Sequence, residues 1–382
     1  MTAVELLTHL VGFNTVTRES NLELIAFVER YLAGYGIESR RIESDDGRKA
    51  NLLARIGPNV EGGVVLSGHT DVVPVDGQPW TTDPFTLTER DGLLYGRGSC
   101  DMKGFIACTL AEVPRWVEMP LTRPIWLAFS YDEEIGCQGA PRMIERLVAD
   151  CPRPAAVIVG EPTLMQPVTQ QKGITTLSTT VTGVEAHSSQ VYQGISAIHV
   201  AARLVAKIED IMGELKDEGC CNQAFNVEHS SLHVGKIQGG TAVNIMAREC
   251  TFEWEIRHLP EDGFEAVHAR FVAFSDQLER EMSYRDTRVA ITTTPITATV
   301  PALADRDNRA ALGICQALMG EQVPEAVAYA TEAGQFQEAG LEAIICGPGS
   351  IGQAHQPDEF ISVEQLDLGA AFMQRLGDYL AE

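Results

Sequence analysis

No stretch of this 382-residue chain approaches the roughly 18 consecutive apolar residues that a membrane span requires. The amino terminus, MTAVELLTHL, carries Glu5 and has no cationic start ahead of a long apolar run, so no signal peptide is expected. Cys-x-x-Cys is absent as well. The nine cysteines, at 100, 108, 137, 151, 220, 221, 250, 315 and 346, are odd in number and scattered. They read as the reduced, buried thiols of a cytoplasmic protein, not as a disulfide framework or a cysteine zinc site. Positive charge is scarce: 29 Lys and Arg against 53 Asp and Glu leave a formal net charge of -24. Such a surface repels nucleic-acid phosphates. It suits a cationic small substrate, and equally it serves solubility alone. No internal repeat or low-complexity tract is present.

What the chain does have is alternation. A Ser20-x-x-Glu23 capping box introduces apolar residues at helical spacing, Leu24, Phe27, Val28, Tyr31 and Leu32, which Gly34 and Gly36 stop. Strand candidates at 51–56, 64–66, 125–129 and 155–159 are interleaved with helices over 104–113, where Pro114 is expected to end or kink the run, and near 140–149. Strand and helix in turn imply an open α/β sheet, whose sites lie at the carboxyl ends of strands. From Ile174 the character changes. A Thr- and Val-rich strand like an exposed antiparallel one (174–182) leads into a helix over 195–212 carrying Ile198, Ala202, Val205, Ile208 and Met212 on one side. Strands over 231–237 and 250–257 follow, then a helix with Phe264, Val267, Phe271, Phe274 and Leu278, and a strand over 288–293. The order βαββαβ is a ferredoxin-like unit. The expected fold is therefore an α/β domain made of residues 1–173 and 298–382, interrupted by a smaller α+β domain over 174–297.

Chemistry concentrates at the ends of the α/β strands. Val64–Pro74 reads VVLSGHTDVVP, and residues two apart in a strand share a face, so His69 and Asp71 should project side by side. An imidazole beside a carboxylate is the pairing that fixes a metal-binding tautomer; a hydrogen-bonded loop pair is the plainer alternative. Asp101 stands in the glycine-rich turn YGRGSCDMKG, Glu133 and Glu134 in FSYDEEIG, Glu161 in VGEP and His355 in QAHQP. Any one acid of this kind could be a solvated helix cap. Two histidines with several carboxylates and no cysteine suit catalytic zinc better than structural zinc. Three carboxylates and two imidazoles can hold two ions if one carboxylate bridges, and paired ions about 3.5–4 Å apart share a nucleophile and a developing oxyanion. Gly347-Pro-Gly-Ser-Ile-Gly352 also matches the G-x-G-x-x-G of dinucleotide sites. That pattern needs a helix to open beneath the phosphates, and QAHQPDE does not continue as one.

Taken together, SGHTDVVP, YGRGSCDMKG, YDEEIGC, GEP and CGPGSIGQAHQPDEF resemble the dinuclear zinc amidohydrolases that include acetylornithine deacetylase, succinyl-diaminopimelate desuccinylase, aminoacylases and related carboxypeptidases. The resemblance runs from about residue 10 to the carboxyl terminus. It implies a zinc-peptidase-like mixed sheet flanked by helices, with the inserted ferredoxin-like domain serving as lid and dimerisation surface of a homodimer. On matching positions it implies one Zn2+ held by His69 and Glu161, a second held by Glu134 and His355, Asp101 bridging them, and Asp71 orienting His69. Co2+ would be a possible substitute.

The same resemblance implies that Glu133 takes a proton from the attacking water and passes it to the departing amine. His187, in TGVEAHSS, would reach across the dimer to the oxyanion, although a surface histidine near a turn is the simpler reading. Asn244 and Arg257 would bind the substrate's α-carboxylate, with a structural strand-end arginine as the alternative for Arg257. ATEAGQFQ, residues 330–337, resembles the acetylornithine deacetylase branch. Glu332 there would face a side-chain ammonium, or else merely cap the following helix. The expected reaction is hydrolysis of N2-acetyl-L-ornithine in arginine biosynthesis. Succinyl-diaminopimelate, acetylcitrulline and other N-acyl amino acids remain alternatives within the class, and a metal-binding scaffold is the alternative outside it.

Overall fold

The computed structural model describes residues 1–219, 221–305 and 308–382. Cys220, counted above among the reduced thiols, and residues 306 and 307 of the second α/β segment lie outside the described residues. The eight described cysteines are free. Among the described residues no helix is long and apolar enough to cross a membrane.

The chain forms two compact units, one of residues 1–170, 303–326 and 331–382, the other of 171–302 and 327–330. The first is built on a mixed eight-stranded sheet in the order Ser39–Glu43, Ala50–Ile56, Ile125–Ser130, Val64–His69, Ala156–Val159, Ala343–Ile345, Val168–Gln171 and Glu325–Val327. Its centre is parallel: Val64–His69 runs with Ile125–Ser130 on one side and with Ala156–Val159 on the other, which in turn pairs in parallel with Ala343–Ile345. These strands read as continuous apolar runs because helices cover the sheet, and Val64–His69 and Ile125–Ser130 are buried throughout. Four parallel neighbours bring four carboxyl ends to one edge. That edge carries the chemistry.

The helix Lys103–Glu118 continues through Pro114 instead of stopping there. Proline leaves the carbonyl four residues earlier without its helical donor. Here the Leu110 carbonyl accepts the Tyr31 hydroxyl at 3.0 Å, so the break costs no unsatisfied polar group. The box expected at Ser20 and Glu23 is not formed either. Asn21 occupies the N-cap of Leu22–Ala33 without a capping side-chain bond, and its amide ties the helix start to both backbone groups of Ala50 and to the Thr70 hydroxyl. A true capping box sits earlier, between Thr2 and Glu5, at the head of Ala3–Val11.

The second unit has the expected element order, with strands Gly173–Thr182, Ser231–Gly239, Glu249–His258 and Ala290–Pro295 and helices Ala197–Asp217 and Phe264–Ser283. Its antiparallel sheet is ordered 231–239, 249–258, 173–182, 290–295. Gly173–Thr182 is thus an inner strand with one face covered, not an exposed one. Thr175 and Thr179 point inward, and Thr179 satisfies its hydroxyl on Thr293 and on the Trp254 indole. The helix Ala197–Asp217 buries Val200, Leu204, Ile208, Ile211 and Leu215, so its inner face is rotated from the expected one and Ile198 is exposed.

Gly160 links the sheet to the site. A Cβ there would lie 2.0 Å from the Phe105 ring, which packs against the end of Ala156–Val159 just before Glu161. Gly160→Ala should therefore overpack the core and cost about 1–3 kcal/mol in denaturant unfolding. Gly313→Ala, a helix position with open space around it, should be neutral or stabilising by up to ~1 kcal/mol. Equal effects of the two substitutions would contradict this packing.

Candidate metal centre

His69 is the last residue of its strand, and Thr70 turns the chain outward under a hydrogen bond from its own N–H to the Ser130 carbonyl. The next parallel strand ends at Ser130 and delivers Asp132, Glu133 and Glu134. The third ends at Val159 and delivers Glu161. Asp101 arrives from the loop ahead of Lys103–Glu118, and the Asp101–Met102 peptide is cis. His355 follows a single 3-10 turn at Ile351–Gln353 and has φ +64°. No helix opens beneath the Gly347–Gly352 glycines, so the context that the dinucleotide reading required is missing.

All five proposed donors, though His69 and His355 stand 286 positions apart in the chain, converge. His69 Nε2 lies 3.0 Å from Asp101 Oδ1 and 3.7 Å from Glu161 Oε1. His355 Nε2 lies 3.3 Å from Asp101 Oδ2 and 2.9 Å from Glu134 Oε2. The Asp101 carboxylate is thus divided, one oxygen facing each histidine. Two overlapping sets of donor atoms that share His69, His69–Glu133–Glu161 and His69–Asp101–Glu134, are compact enough that either could hold an ion. Glu134 and Glu161 each bury an Oε1 with no hydrogen-bond partner, and such orphaned anionic oxygens are what a cation would satisfy. The donor set and these open valences fit divalent metal.

Electrostatics express the same crowding. Burial and the neighbouring Asp101 push the Glu134 carboxyl up to about 7, against the opposing hydrogen bond from His355. Burial likewise drives Glu133 and Glu161 well above the usual carboxylate range. Asp101 goes the other way: burial would raise it, yet the two imidazoles that hydrogen-bond to it hold it low. His355 is raised to about 10 by its hydrogen bonds to Asp101 and Glu134. Its side chain is 53% exposed where those of His69 and Glu134 are 1% and 5%, so the cluster opens to solvent on the His355 side.

Asp71 works differently from a simple imidazole partner. His69 Nδ1 donates at 2.9 Å to the Asp71 backbone carbonyl, and its distance to the carboxylate is 3.6 Å. The Asp71 carboxylate instead accepts the backbone N–H groups of Glu133 and Glu134, both at 3.2 Å. One residue therefore orients the first histidine and fixes the turn that carries both glutamates. Glu133 Oε1 in turn accepts the Cys137 thiol at 3.3 Å. Glu332 occupies the N-cap position of Ala333–Glu338 but makes no capping bond. Its carboxylate, in a residue 1% exposed, accepts the Ser67 hydroxyl at 3.1 Å and leaves Oε1 unpartnered. Burial raises its pKa, opposed by the facing Ser130 and Ser67 hydroxyls and by His69.

The remaining candidates belong to the second unit. His187 is exposed, with its Nδ1 2.8 Å from the Ser189 hydroxyl, and its segment pairs with that of Asn244 through a bridge to Ile245 and the Ser188 N–H donating to the Asn244 carbonyl. Arg257 is not with them. It lies near the end of Glu249–His258 that pairs with the start of Gly173–Thr182, eight residues along the strand from Thr182, roughly 26 Å. Its guanidinium donates to Glu255 and to the Ala328 carbonyl.

The residues that reading the sequence missed are Glu359, Arg97 and Gln78, which buttress the loops of Asp101 and His355. No spacing rule joins positions so far apart, although an acid four residues after His355 was visible.

Comparison with known proteins accords with this geometry. Residues 65–378 match the model of peptidase family M20/M25/M40. The chain is 34% identical over 361 residues to the acetylornithine deacetylase of Pasteurella multocida, covering 94% of this chain and 91% of that protein. It is 35% identical over 369 residues to that of Myxococcus xanthus, covering 94% and 92%. Among solved structures, a Bacillus subtilis protein described as a dinuclear metal binding peptidase from the M20 family superposes with a TM-score of 0.66 at 16% identity, over 98% of this chain and 96% of that one. The chain accordingly belongs to peptidase family M20/M25/M40, as a metal-dependent amidohydrolase whose curated relatives include acetylornithine deacetylases.

Proposed function

We propose that the protein hydrolyses N2-acetyl-L-ornithine to L-ornithine and acetate, in the biosynthesis of arginine, as a cytoplasmic homodimer carrying two zinc ions. The observation that carries the reading is the divided Asp101 carboxylate, with His69 and Glu161 on one oxygen's side and His355 and Glu134 on the other's. Imidazole and carboxylate donors suit zinc, with cobalt as a substitute. When bound, two such ions would polarise the acyl carbonyl and acidify a water.

The chain's own residues supply the rest. Glu133 stands next to the ligand Glu134, is turned by Asp71 and steadied by the Cys137 thiol. Its raised pKa suits a group that takes the proton from water as that water attacks the acyl carbon and gives it to the amine as the C–N bond breaks. The orphaned Oε1 of Glu332 supports a role in meeting the ornithine side-chain ammonium. Arg257 is assigned to the substrate α-carboxylate together with Asn244, and His187 to the tetrahedral oxyanion. The separation of Arg257 from the paired His187 and Asn244 segments within one chain supports a site completed by His187 and Asn244 of a second copy.

Metal-loaded enzyme should release acetate from N2-acetyl-L-ornithine, and Glu133→Gln should lose about 10²–10⁴ in rate while keeping its metal. Acetylcitrulline and succinyl-diaminopimelate should be poorer substrates, and Glu332→Gln should erase the preference for the cationic acetyl-ornithine over neutral acetylcitrulline. Near-normal turnover by metal-replete Glu133→Gln would remove the assigned base. A wild-type preference for succinyl-diaminopimelate would move the enzyme to the desuccinylase alternative, and absence of any hydrolysis would favour the scaffold reading. Inactive His187→Ala and inactive Glu133→Gln chains, once mixed and exchanged, should recover activity; exchange without recovery would place His187 outside the partner's site.

A further inference from the structure

One buried carboxylate outside the donor set, four residues after the exposed ligand His355, touches the loop that supplies the shared ligand. Glu359, 1% exposed, accepts the backbone N–H groups of Cys100 at 2.9 Å and Asp101 at 3.0 Å on Oε1. Its Oε2 accepts the Gly98 N–H at 3.1 Å and Arg97 Nη1 at 2.6 Å. Four donors thus close around it, and Asp101 is fixed at its own backbone. Arg97 carries the connection on. Its Nη2 donates at 2.6 Å to Gln78 Oε1, its guanidinium lies over the Trp80 ring at 5.1 Å, and the Trp80 indole donates to the same Gln78 oxygen at 2.9 Å. With its oxygen held twice, Gln78 can present its amide in only one direction, and Nε2 donates at 2.9 Å to the backbone carbonyl of His355.

His355 needs such a hold. It has a left-handed φ of +64° and a half-exposed side chain, and its imidazole pairs with Asp101 and Glu134 of the cluster. Backbone contacts of this kind determine where a ligand's side chain can reach, and outer partners of metal ligands typically contribute 10–100-fold to metal affinity.

We propose that Glu359, Arg97 and Gln78 form a positioning relay that sets the spacing between the two halves of the metal centre, Glu359 fixing the shared ligand Asp101 and Gln78 fixing His355. The relay rests on the dinuclear reading above and extends it to residues that touch neither ion nor substrate. It makes an asymmetric demand. Gln78 acts on the His355–Glu134 half alone, whereas Glu359 acts on the ligand common to both.

The test is a count of bound Co2+ per chain by equilibrium dialysis and elemental analysis across free-metal concentrations, with the visible Co2+ spectrum followed in parallel. Wild type should bind two ions. Gln78→Ala should weaken the second by about 10–100-fold and leave the first unchanged, giving one ion per chain at concentrations that saturate wild type. Gln78→Glu keeps the acceptor for Arg97 and Trp80 but replaces the donor to His355 with an anionic oxygen facing its carbonyl, so it should show at least the same selective loss. Glu359→Gln should weaken both. Unfolding of the metal-free Gln78 variants at the wild-type temperature separates positioning from general damage. If wild type binds fewer than two ions, the dinuclear reading fails and the relay with it. If wild type binds two and both Gln78 variants bind two with unchanged affinity, the relay alone is overturned.

Discussion

The arrangement depends on negative charge being forced together out of water. Asp101, Glu134 and Glu161, with Glu133 beside them, occupy a space in which donor atoms lie within a few ångströms of one another, and the side chains of Asp101, Glu134 and Glu161 are almost wholly buried. Isolated carboxylates in such surroundings would neutralise or unfold the site. Two imidazoles relieve part of the burden, which is why Asp101 stays acidic while its neighbours are pushed upward. The unpartnered oxygens of Glu134 and Glu161 show what is left over. Divalent cations are the natural complement, and the energetic strain of the cluster without them is the source of its affinity for them.

The sheet makes this concentration possible. Four neighbouring parallel strands end on one edge, and each end releases the backbone into a loop just where side chains can turn inward. The loops are then tied to one another and not only to their own strands: Asp71 holds the Glu133–Glu134 turn, and the Glu359 carboxylate holds the Asp101 loop. Rigid strands beneath and cross-tied loops above give donors from distant positions a common geometry.

Much of this was legible in the sequence because it is written in local patterns. Apolar runs ending in His or acidic residues mark buried strands that terminate at a site, and the βαββαβ order of the second unit follows from periodicity alone. The failures were long-range. Pro114 continues its helix because Tyr31, far away in sequence, supplies the missing donor. Asn21 abandons capping for a strand that it meets only in the fold. Strand 173–182 has the Thr- and Val-rich composition of an exposed antiparallel strand, yet its Thr179 hydroxyl is satisfied by Thr293 and Trp254 inside the unit. Glu359 left no local signature, and its importance lies wholly in partners about 260 positions earlier in the chain.

The account stands on Asp101 serving two ions at once. Anomalous diffraction at the metal edge from crystals grown with zinc or cobalt tests this directly. It should show two peaks about 3.5–4 Å apart, with Asp101 Oδ1 reaching the ion beside His69 and Glu161 and Oδ2 the ion beside His355 and Glu134. A single peak, or two peaks of which Asp101 touches only one, would contradict it.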